Sequence, residues 1–299
     1  MEQVHAAGSA TGALDPGIIS ASGLPLQPAV RQAIASMHAR YFDSITLAQL
    51  ASEVFVSPFH FSRIFARATG ITPGRYLTAI RLFEAKRLLL TTSLTVSDIV
   101  CSVGYSSVGT FTSRFTRAVG MTPTQYRDPE VGELLVAIAP HFRRLPPLAS
   151  MRGVCKGYPT IRVGAGAITG RVELPVGSGP ANVLIGVFAE AVPQCSPIAF
   201  TGLTNTRSAD FMIHGVPKGR WVVVAVAEHA APVTGEPTYS MGTVACPTEV
   251  TAGSSVNVRI PMRAPRLTDP PMAITLAVPP SPTRNRMAVQ DRPYLRAVA

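Results

Sequence analysis

Two stretches decide the fold of this chain: SPFHFSRIFARATGITPGRY at residues 57–76 and SVGTFTSRFTRAVGMTPTQY at residues 107–126. Placing Phe61 on Phe111 also aligns an Arg, a Gly, a Thr-Pro pair and a Tyr. The second stretch therefore repeats the first at a separation of 50 residues, with one extra residue in its turn. In each copy a Ser is the predicted helix N-cap, two Phe residues form a buried face, and a Gly ends the helix.

Helical periodicity continues on both sides of the two copies. A first helix begins at Pro28, and a short apolar helix precedes each copy. A long helix opens at Thr72 and runs to about Thr91, so it joins the copies. Residues 28–128 are therefore predicted to form a seven-helix domain with two linked helix-turn-helix units.

The rest of the chain has a different texture. Residues 1–27 are rich in Ala, Gly and Ser and are predicted to be a disordered leader. Residues 129–159 contain several prolines and are predicted to be a partly ordered connector. Short β-branched runs in residues 160–264 predict an antiparallel β-sandwich, and residues 265–299 are predicted to be a mobile tail. The fold class is multidomain, α then β, and we expect each module to fold independently.

Charge favours a polyanionic partner such as nucleic acid. The 299 residues include 27 Lys and Arg against 17 Asp and Glu, a net charge of +10. Residues 28–128 hold 11 basic and 5 acidic residues, and residues 129–299 hold 16 and 10. Because both parts share the basic excess, charge alone does not say which part binds.

The cysteines argue against a metal site and a redox pair. Cys101, Cys155, Cys195 and Cys246 lie far apart, without C-x-x-C spacing, and are predicted to be small buried residues. A disulfide between Cys195 and Cys246 would need an oxidising compartment, and no secretory signal is visible at the N-terminus. No apolar run approaches the ~20 residues of a membrane span. We therefore expect a cytoplasmic protein without membrane contact, metal or cofactor.

The two copies and the helix between them resemble the DNA-binding domain of AraC/XylS-family bacterial transcriptional regulators. The second copy carries most of the resemblance, in the order Asp98-Ile99, Val103-Gly104-Tyr105, Phe111, Phe115, Gly120, Thr122-Pro123 and Tyr126-Arg127. The first copy adds Leu50-Ala51, Phe61-Ser62-Arg63-Ile64-Phe65, Gly70, Thr72-Pro73 and Tyr76-Leu77, and the joining helix adds Arg81-Leu82, Ala85 and Leu88-Leu89. The resemblance implies a regulator that binds double-stranded DNA, and it covers about a third of the chain.

The first recognition helix turns Phe59, Ser62 and Arg63 outward by helical phase, and these are its predicted base readers. Arg63 is the candidate for a bidentate contact to guanine, and its alternative is a solvated surface charge. Phe59 either packs on a thymine methyl group or packs against the preceding helix. His60 is predicted to face phosphate or to be structural.

The second recognition helix departs from the family pattern. Its outward face carries Gly109, Thr112 and Ser113, which are small and uncharged and predict weak base contacts. Arg114 has the helical phase of Ile64 and is predicted to extend along the edge of the core toward a phosphate. The full set of predicted phosphate contacts comprises Ser57, His60, Arg67, Ser107, Arg114 and Arg117.

The C-terminal module resembles carboxypeptidase-regulatory or transthyretin-like sandwich domains on three segments: residues 167–172, 211–219 and 221–225. It either packs and solubilises, or senses a small molecule or protein. Trp221 is expected to anchor the core. The competing function is a DNA-binding enzyme or repair protein, but Cys195 has no base or charge beside it in the sequence, so no catalytic residue is predicted. The target promoter, the direction of regulation and the oligomeric state stay open.

Overall fold

A helical region precedes a strand-rich region, as predicted. The computed structural model describes residues 28–147, 165–230, 235–244 and 246–277. Its helices are α1 (Pro28–Arg40), α2 (Leu47–Glu53), α3 (Pro58–Thr69), α4 (Pro73–Thr91), α5 (Val96–Ser102), α6 (Val108–Val119), α7 (Pro123–Tyr126) and α8 (Pro129–Glu133). Its strands are β1 (Leu135–Ala139), β2 (Phe142–Arg144), β3 (Gly166–Glu173), β4 (Ala181–Phe188), β5 (Ala199–Thr206), β6 (Ser208–Val216), β7 (Gly219–His229), β8 (Thr238–Thr243), β9 (Thr248–Val250), β10 (Ser255–Pro261) and β11 (Met272–Thr275). The predicted leader lies outside the described residues.

The helix boundaries of the two copies follow the same caps. The hydroxyl oxygens of Ser57 and Ser107 each accept a backbone N–H of the next turn at 3.3 Å. Gly70 and Gly120 end α3 and α6 with φ of 80° and 82°. Local sequence therefore starts and stops both helices in the same way.

Matching aromatic contacts fill the interior of each copy. The rings of Phe65 and Tyr76 meet edge to face at 5.5 Å and 87°. The rings of Phe115 and Tyr126 meet at 5.6 Å and 86°. Pairs of this kind contribute about 0.5–1.5 kcal/mol beyond their buried area. The repeat seen in the sequence is thus a repeat of side-chain packing.

Helix α4 joins the two copies and is held on one side by Arg81. At 19 residues and ~1.5 Å per residue, α4 is ~28 Å long. The Arg81 guanidinium donates to the carbonyl oxygens of Tyr41 and Asp43, each at 2.7 Å, and lies 5.7 Å from the Tyr105 ring centroid. These contacts join α4 to the segment after α1 and to the turn of the second copy.

The strands form three sheets. Their orders are β11-β1-β2, β10-β3-β6 and β5-β4-β7-β8, with β9 paired to β7. The second and third sheets share one apolar core, to which Ile168, Ile213 and Ile260 contribute from one side and Val183 and Val223 from the other. The pairing of β10 with β3 is parallel, so the expectation of a purely antiparallel arrangement is wrong at this pair. A parallel neighbour requires a long crossover, and β4 to β9 lie between these two strands in the chain.

The predicted connector and tail contain regular structure. Helix α8 and strands β1 and β2 lie within residues 129–144, and β11 lies within the predicted mobile tail. All five residues of β1 are buried, and β1 pairs with β11 from Leu135↔Thr275 to Ile138↔Met272. An uninterrupted apolar run such as LVAIA is typical of a strand that is buried on both faces. The prolines around this run favoured the prediction of a connector instead. Residues 148–159 and 278–299 lie outside the described residues.

The helical and strand-rich regions are packed together through buried apolar side chains, which the expectation of independently folding modules did not include. One buried cluster includes Phe111 and Phe115 of α6, Val136 of β1, Ile274 of β11 and Val224 of β7. At the same junction Lys86 of α4 is fully buried. Its ammonium donates to the Ala273 carbonyl at 2.6 Å and to the backbone and side-chain oxygens of Gln194 at 2.8 and 3.0 Å, and burial lowers its pKa to about 7. The two regions share a core.

The cysteines are less buried than predicted. Cys101 and Cys246 are exposed and Cys195 is half-buried, and all three are free thiols. Exposure follows from position, since Cys101 lies on the outer side of α5 and Cys246 in the turn before β9. Cys155 lies outside the described residues. Trp221 is half-buried against the shared core of the two larger sheets, and its indole N–H donates to the Pro217 carbonyl at 2.7 Å.

Across the residues that the structure describes, no helix has the length and apolar character needed to cross a membrane.

Candidate DNA-binding surface

The outer face of α3 presents the residues predicted to read bases in the first unit. Phe61 and Phe65 are fully buried, which turns the opposite face of the helix outward. Arg63 is exposed, Ser62 is half-buried, and the Phe59 side chain is 77% exposed. Such exposure is incompatible with packing of Phe59 against the preceding helix. The structure therefore leaves Phe59 and Arg63 free to reach a partner.

The outer face of α6 carries smaller side chains than the outer face of α3. Gly109 and Ser113 are exposed and Thr112 is half-buried. Arg114 is exposed, and Ile64, which has the same helical phase in α3, is half-buried. This phase lies between the buried and the exposed face of the helix. The extension of Arg114 along the core edge toward a phosphate stays a prediction.

Both helices carry exposed cations that have no partner among the described residues. Four arginines are exposed there: Arg63, Arg67, Arg114 and Arg117. Within the described residues none of the four takes part in an ion pair or a side-chain hydrogen bond. Helices α3 and α6 contain no acidic residue, so the field on both outer faces is positive.

Apart from exposed Arg31, the other arginines of the helical region have structural partners. Arg40 is paired with Glu53, and Arg75 is paired with Glu190 of the strand-rich region at 2.9 Å. Arg127 donates to the carbonyl oxygens of Thr92 and Leu94 before α5. The contrast separates arginines that fix the fold from arginines that are available to a phosphate.

The helix N-termini support anion binding. The hydroxyl oxygens of Ser57 and Ser107 are occupied as caps, but each hydroxyl can still donate its own proton. Exposed His60 lies in the first turn of α3. Partial positive charge at such a helix end favours a phosphate. The predicted phosphate contacts thus lie at or near the two helix ends and on their exposed faces, and their contact with DNA stays a prediction.

Sequence reasoning missed the most exposed aromatic residue of the helical region, Phe55. It lies in the turn between α2 and α3, has φ of 56°, and is 94% exposed. The repeat contained the signal, because the extra residue in the second turn places Phe55 opposite Gly104 rather than Tyr105. Gly104 has φ of 78°.

A cavity lies on another side of α4, where the helical region meets the strand-rich region. Its volume is about 430 Å³, and its lining comprises Ala35, His38, Tyr41, Glu84, Arg87, Pro140, His141 and Leu267. The carboxylate of Glu84 is 5% exposed; it accepts from Arg87 Nε at 2.8 Å and lies 3.0 Å from His141 Nε2. His38 Nε2 is buried and has no hydrogen-bond partner among the described residues. Burial, with His141 nearby, lowers the pKa of His38 and favours a neutral ring.

Cys195 has a charged neighbour that the sequence did not reveal, namely Lys86 of α4. Burial nevertheless raises the pKa of the Cys195 thiol, and Lys86 opposes this shift only in part. The thiolate is the nucleophile in cysteine chemistry, so this setting disfavours a reactive cysteine. Among the described residues no group of three or more His, Cys, Asp or Glu side chains could hold a metal ion.

The comparisons with known proteins concern the helical region. A family model described as a helix-turn-helix domain matches residues 50–129. The chain is 34% identical over 95 residues to the uncharacterized HTH-type transcriptional regulator YobQ of Bacillus subtilis, a match that covers 32% of this chain and 39% of that protein. It is 32% identical over 88 residues to the bifunctional transcriptional activator/DNA repair enzyme AdaA of Bacillus subtilis, covering 29% of this chain and 42% of that protein. The C-terminal domain of AraT, a response regulator from Geobacillus stearothermophilus, is 35% identical, with 34% of this chain and 84% of that chain covered at a TM-score of 0.33.

The family model and the two curated relatives support the N-terminal part of the predicted resemblance: residues 50–129 match a helix-turn-helix domain. The chain spans about two fifths of the length of the two curated relatives named above. The resemblance of residues 160–264 to transthyretin-like domains stays a prediction.

Proposed function

We propose that this chain is a bacterial transcriptional regulator that binds double-stranded DNA by placing α3 and α6 in successive major grooves. One observation carries the proposal: two similarly capped and similarly packed helices each present exposed, unpaired arginines. Recognition helices in successive grooves on one face of DNA lie about one helical turn, ~34 Å, apart. A joining helix of ~28 Å is long enough to bring α3 and α6 near that separation within one chain. DNA binding then does not depend on dimerisation.

The two units have unequal roles in this proposal. In the first unit, Arg63 donates to guanine and Phe59 packs on a thymine methyl group, with Ser62 beside them. In the second unit, Gly109, Thr112 and Ser113 offer little to a base edge, so α6 mainly positions the protein on the backbone. The predicted phosphate contacts are Ser57, His60, Arg67, Ser107, Arg114 and Arg117.

A random-sequence selection with the full chain tests the proposal, followed by binding to the selected site at several salt concentrations. The test variant replaces Arg63, Arg67, Arg114 and Arg117 by Ala. The matched control replaces four exposed basic residues of the strand-rich region by Ala and so removes the same charge. These residues are Arg144, Arg207, Lys218 and Arg220. We expect the test variant to reduce the magnitude of the negative slope of log affinity against log salt by about 2–4, and the control to change it by less than 1. Selection of no duplex at low salt, or equal losses in both variants, would contradict the proposal.

The competing proposal, a DNA-binding enzyme, draws on the name of AdaA, a bifunctional activator and repair enzyme. We favour a regulator without enzymatic activity because the setting of Cys195 keeps its thiol protonated at neutral pH.

We further propose that the strand-rich region is a sensor and that the cavity at α4 is its effector site. Cavities between two regions of a chain are common ligand sites, and this one includes Glu84 and Arg87 of the helix that spaces the readers. The effector site is tested by native mass spectrometry of the wild-type chain and of the cavity-filling variant Ala35→Phe, both purified from the host. A small molecule bound to both or to neither would argue against it.

A further inference from the structure

The first unit exposes two phenylalanine rings at positions where the second unit has glycine. Phe55 and Phe59 are 94% and 77% exposed. In the aligned repeat, Phe55 lies opposite Gly104 and Phe59 lies opposite Gly109. Of the two units, only the one that is predicted to read bases therefore has highly exposed phenylalanine rings.

The two turns share one backbone geometry. The N–H of Phe55 donates to the Ser52 carbonyl at 3.1 Å, and the N–H of Gly104 donates to the Cys101 carbonyl at 3.2 Å. Phe55 has φ of 56° where Gly104 has 78°. A bulky residue in this left-handed region is a strained outlier, and glycine relieves the strain.

Nothing in the described fold accounts for the phenylalanine. The ring at position 55 is almost fully exposed, so it contributes little to the core. A strained residue that does not stabilise its own fold is often retained for function. The observation therefore points to a contact with a partner.

The position of Phe55 indicates DNA as that partner. Consecutive Cα atoms are 3.8 Å apart, so the Cα of Phe55 lies within ~7.6 Å of the Cα of Ser57, the N-cap of α3. Phe59 and the unpaired Arg63 and Arg67 belong to the same helix. An exposed ring next to a positively charged, unpaired helix face suits a duplex better than it suits an apolar protein surface.

We infer that Phe55 is a DNA-contacting residue, whose ring packs on the deoxyribose and thymine methyl group at the edge of the groove entered by α3. The inference rests on the proposed function and adds a contact outside the recognition helix. It extends the apolar contact of Phe59 along the DNA. The second unit, with Gly104 and Gly109, makes no equivalent contact.

The test uses full-length Phe55→Asn and Phe55→Gly, because both residues tolerate a positive φ and neither carries a ring. We expect each variant to melt no lower than the wild type and to bind the selected duplex about three- to tenfold more weakly. Val176→Asn is the control, since Val176 is a fully exposed apolar residue of the strand-rich region. It should leave DNA affinity unchanged.

Replacing thymine by deoxyuridine at each position of the first half-site locates the contact. At the contacted position, loss of the methyl group should weaken the wild type and leave Phe55→Asn unaffected. Unchanged affinity of both Phe55 variants would overturn the DNA contact, and equal effects of deoxyuridine on wild type and variant at every position would overturn the thymine contact. Absence of DNA binding by the wild type would instead overturn the proposed function.

Discussion

The two helix-turn-helix units have the same local structure but different surroundings. The core of the first unit is built from α1 to α4, with Leu267 as its one partly buried neighbour from the strand-rich region among the described residues. The core of the second unit continues from Phe111 and Phe115 through Val136 and Ile274 into the larger sheets. The apolar core of the first unit is largely its own, although Tyr76 donates to the Leu267 carbonyl at 2.9 Å and Arg75 pairs with Glu190. The apolar core of the second unit is continuous with the sheets. The second unit also has the smaller side chains on the outer face of its recognition helix, in line with the proposal that it positions the protein while the first unit reads bases.

The largest expected effect comes from removing the strand-rich region. A chain ending at residue 140 keeps β1 but loses β11, its pairing partner, and all of the apolar side chains of the larger sheets. We expect the amides of α5 and α6 to lose most of their hydrogen-exchange protection while those of α2 and α3 keep theirs. Hydrogen exchange measured by mass spectrometry on the full-length chain and on the shortened chain tests this prediction. Equal protection of the two units in the shortened chain would show that the second unit does not need the shared core.

The local structure of both units could be predicted from the sequence, but the surroundings of the second unit could not. Caps, aromatic pairs and glycine stops are local signals, so the helices and the faces of α3 and α6 could be predicted. The pairing of β1 with β11 joins residues about 140 positions apart, and no local pattern encodes it. Whether Arg114 is exposed depends on how far the buried face of α6 extends around the helix, and periodicity alone does not give that. Phe55 could have been found by aligning the turns with their one-residue offset.

The turns of the two units differ at one aligned position, which is Phe55 in the first unit and Gly104 in the second. A Cβ at Gly104 would lie 2.7 Å from the Phe42 carbonyl oxygen, and the backbone there has φ of 78°. Gly104→Ala should therefore lower the free energy of unfolding by about 2–4 kcal/mol through steric clash and backbone strain. Phe55→Ala, which exchanges one strained non-glycine residue for another at an exposed site, should change it by less than about 0.5 kcal/mol.

Urea titration of both full-length variants measures these changes, provided that the slope of the transition stays that of the wild type. If Gly104→Ala proves as stable as Phe55→Ala, the second turn has room that the structure does not show.

The smallest effect concerns the two readers themselves. Arg63→Ala removes a predicted bidentate donor and should weaken binding to the selected site by about 1–3 kcal/mol, while relaxing the preference at one base pair. Ser113→Ala changes a small hydroxyl on the plainer face and should cost less than about 0.5 kcal/mol, with no base pair relaxed. Both residues are exposed and lie outside the buried clusters, so neither substitution should alter folding. Selecting preferred sequences with the wild type and each variant separates base reading from general attraction, because loss of a phosphate contact weakens all sequences alike. A site whose information is concentrated in the groove occupied by α6 would reverse the assignment of anchor and reader.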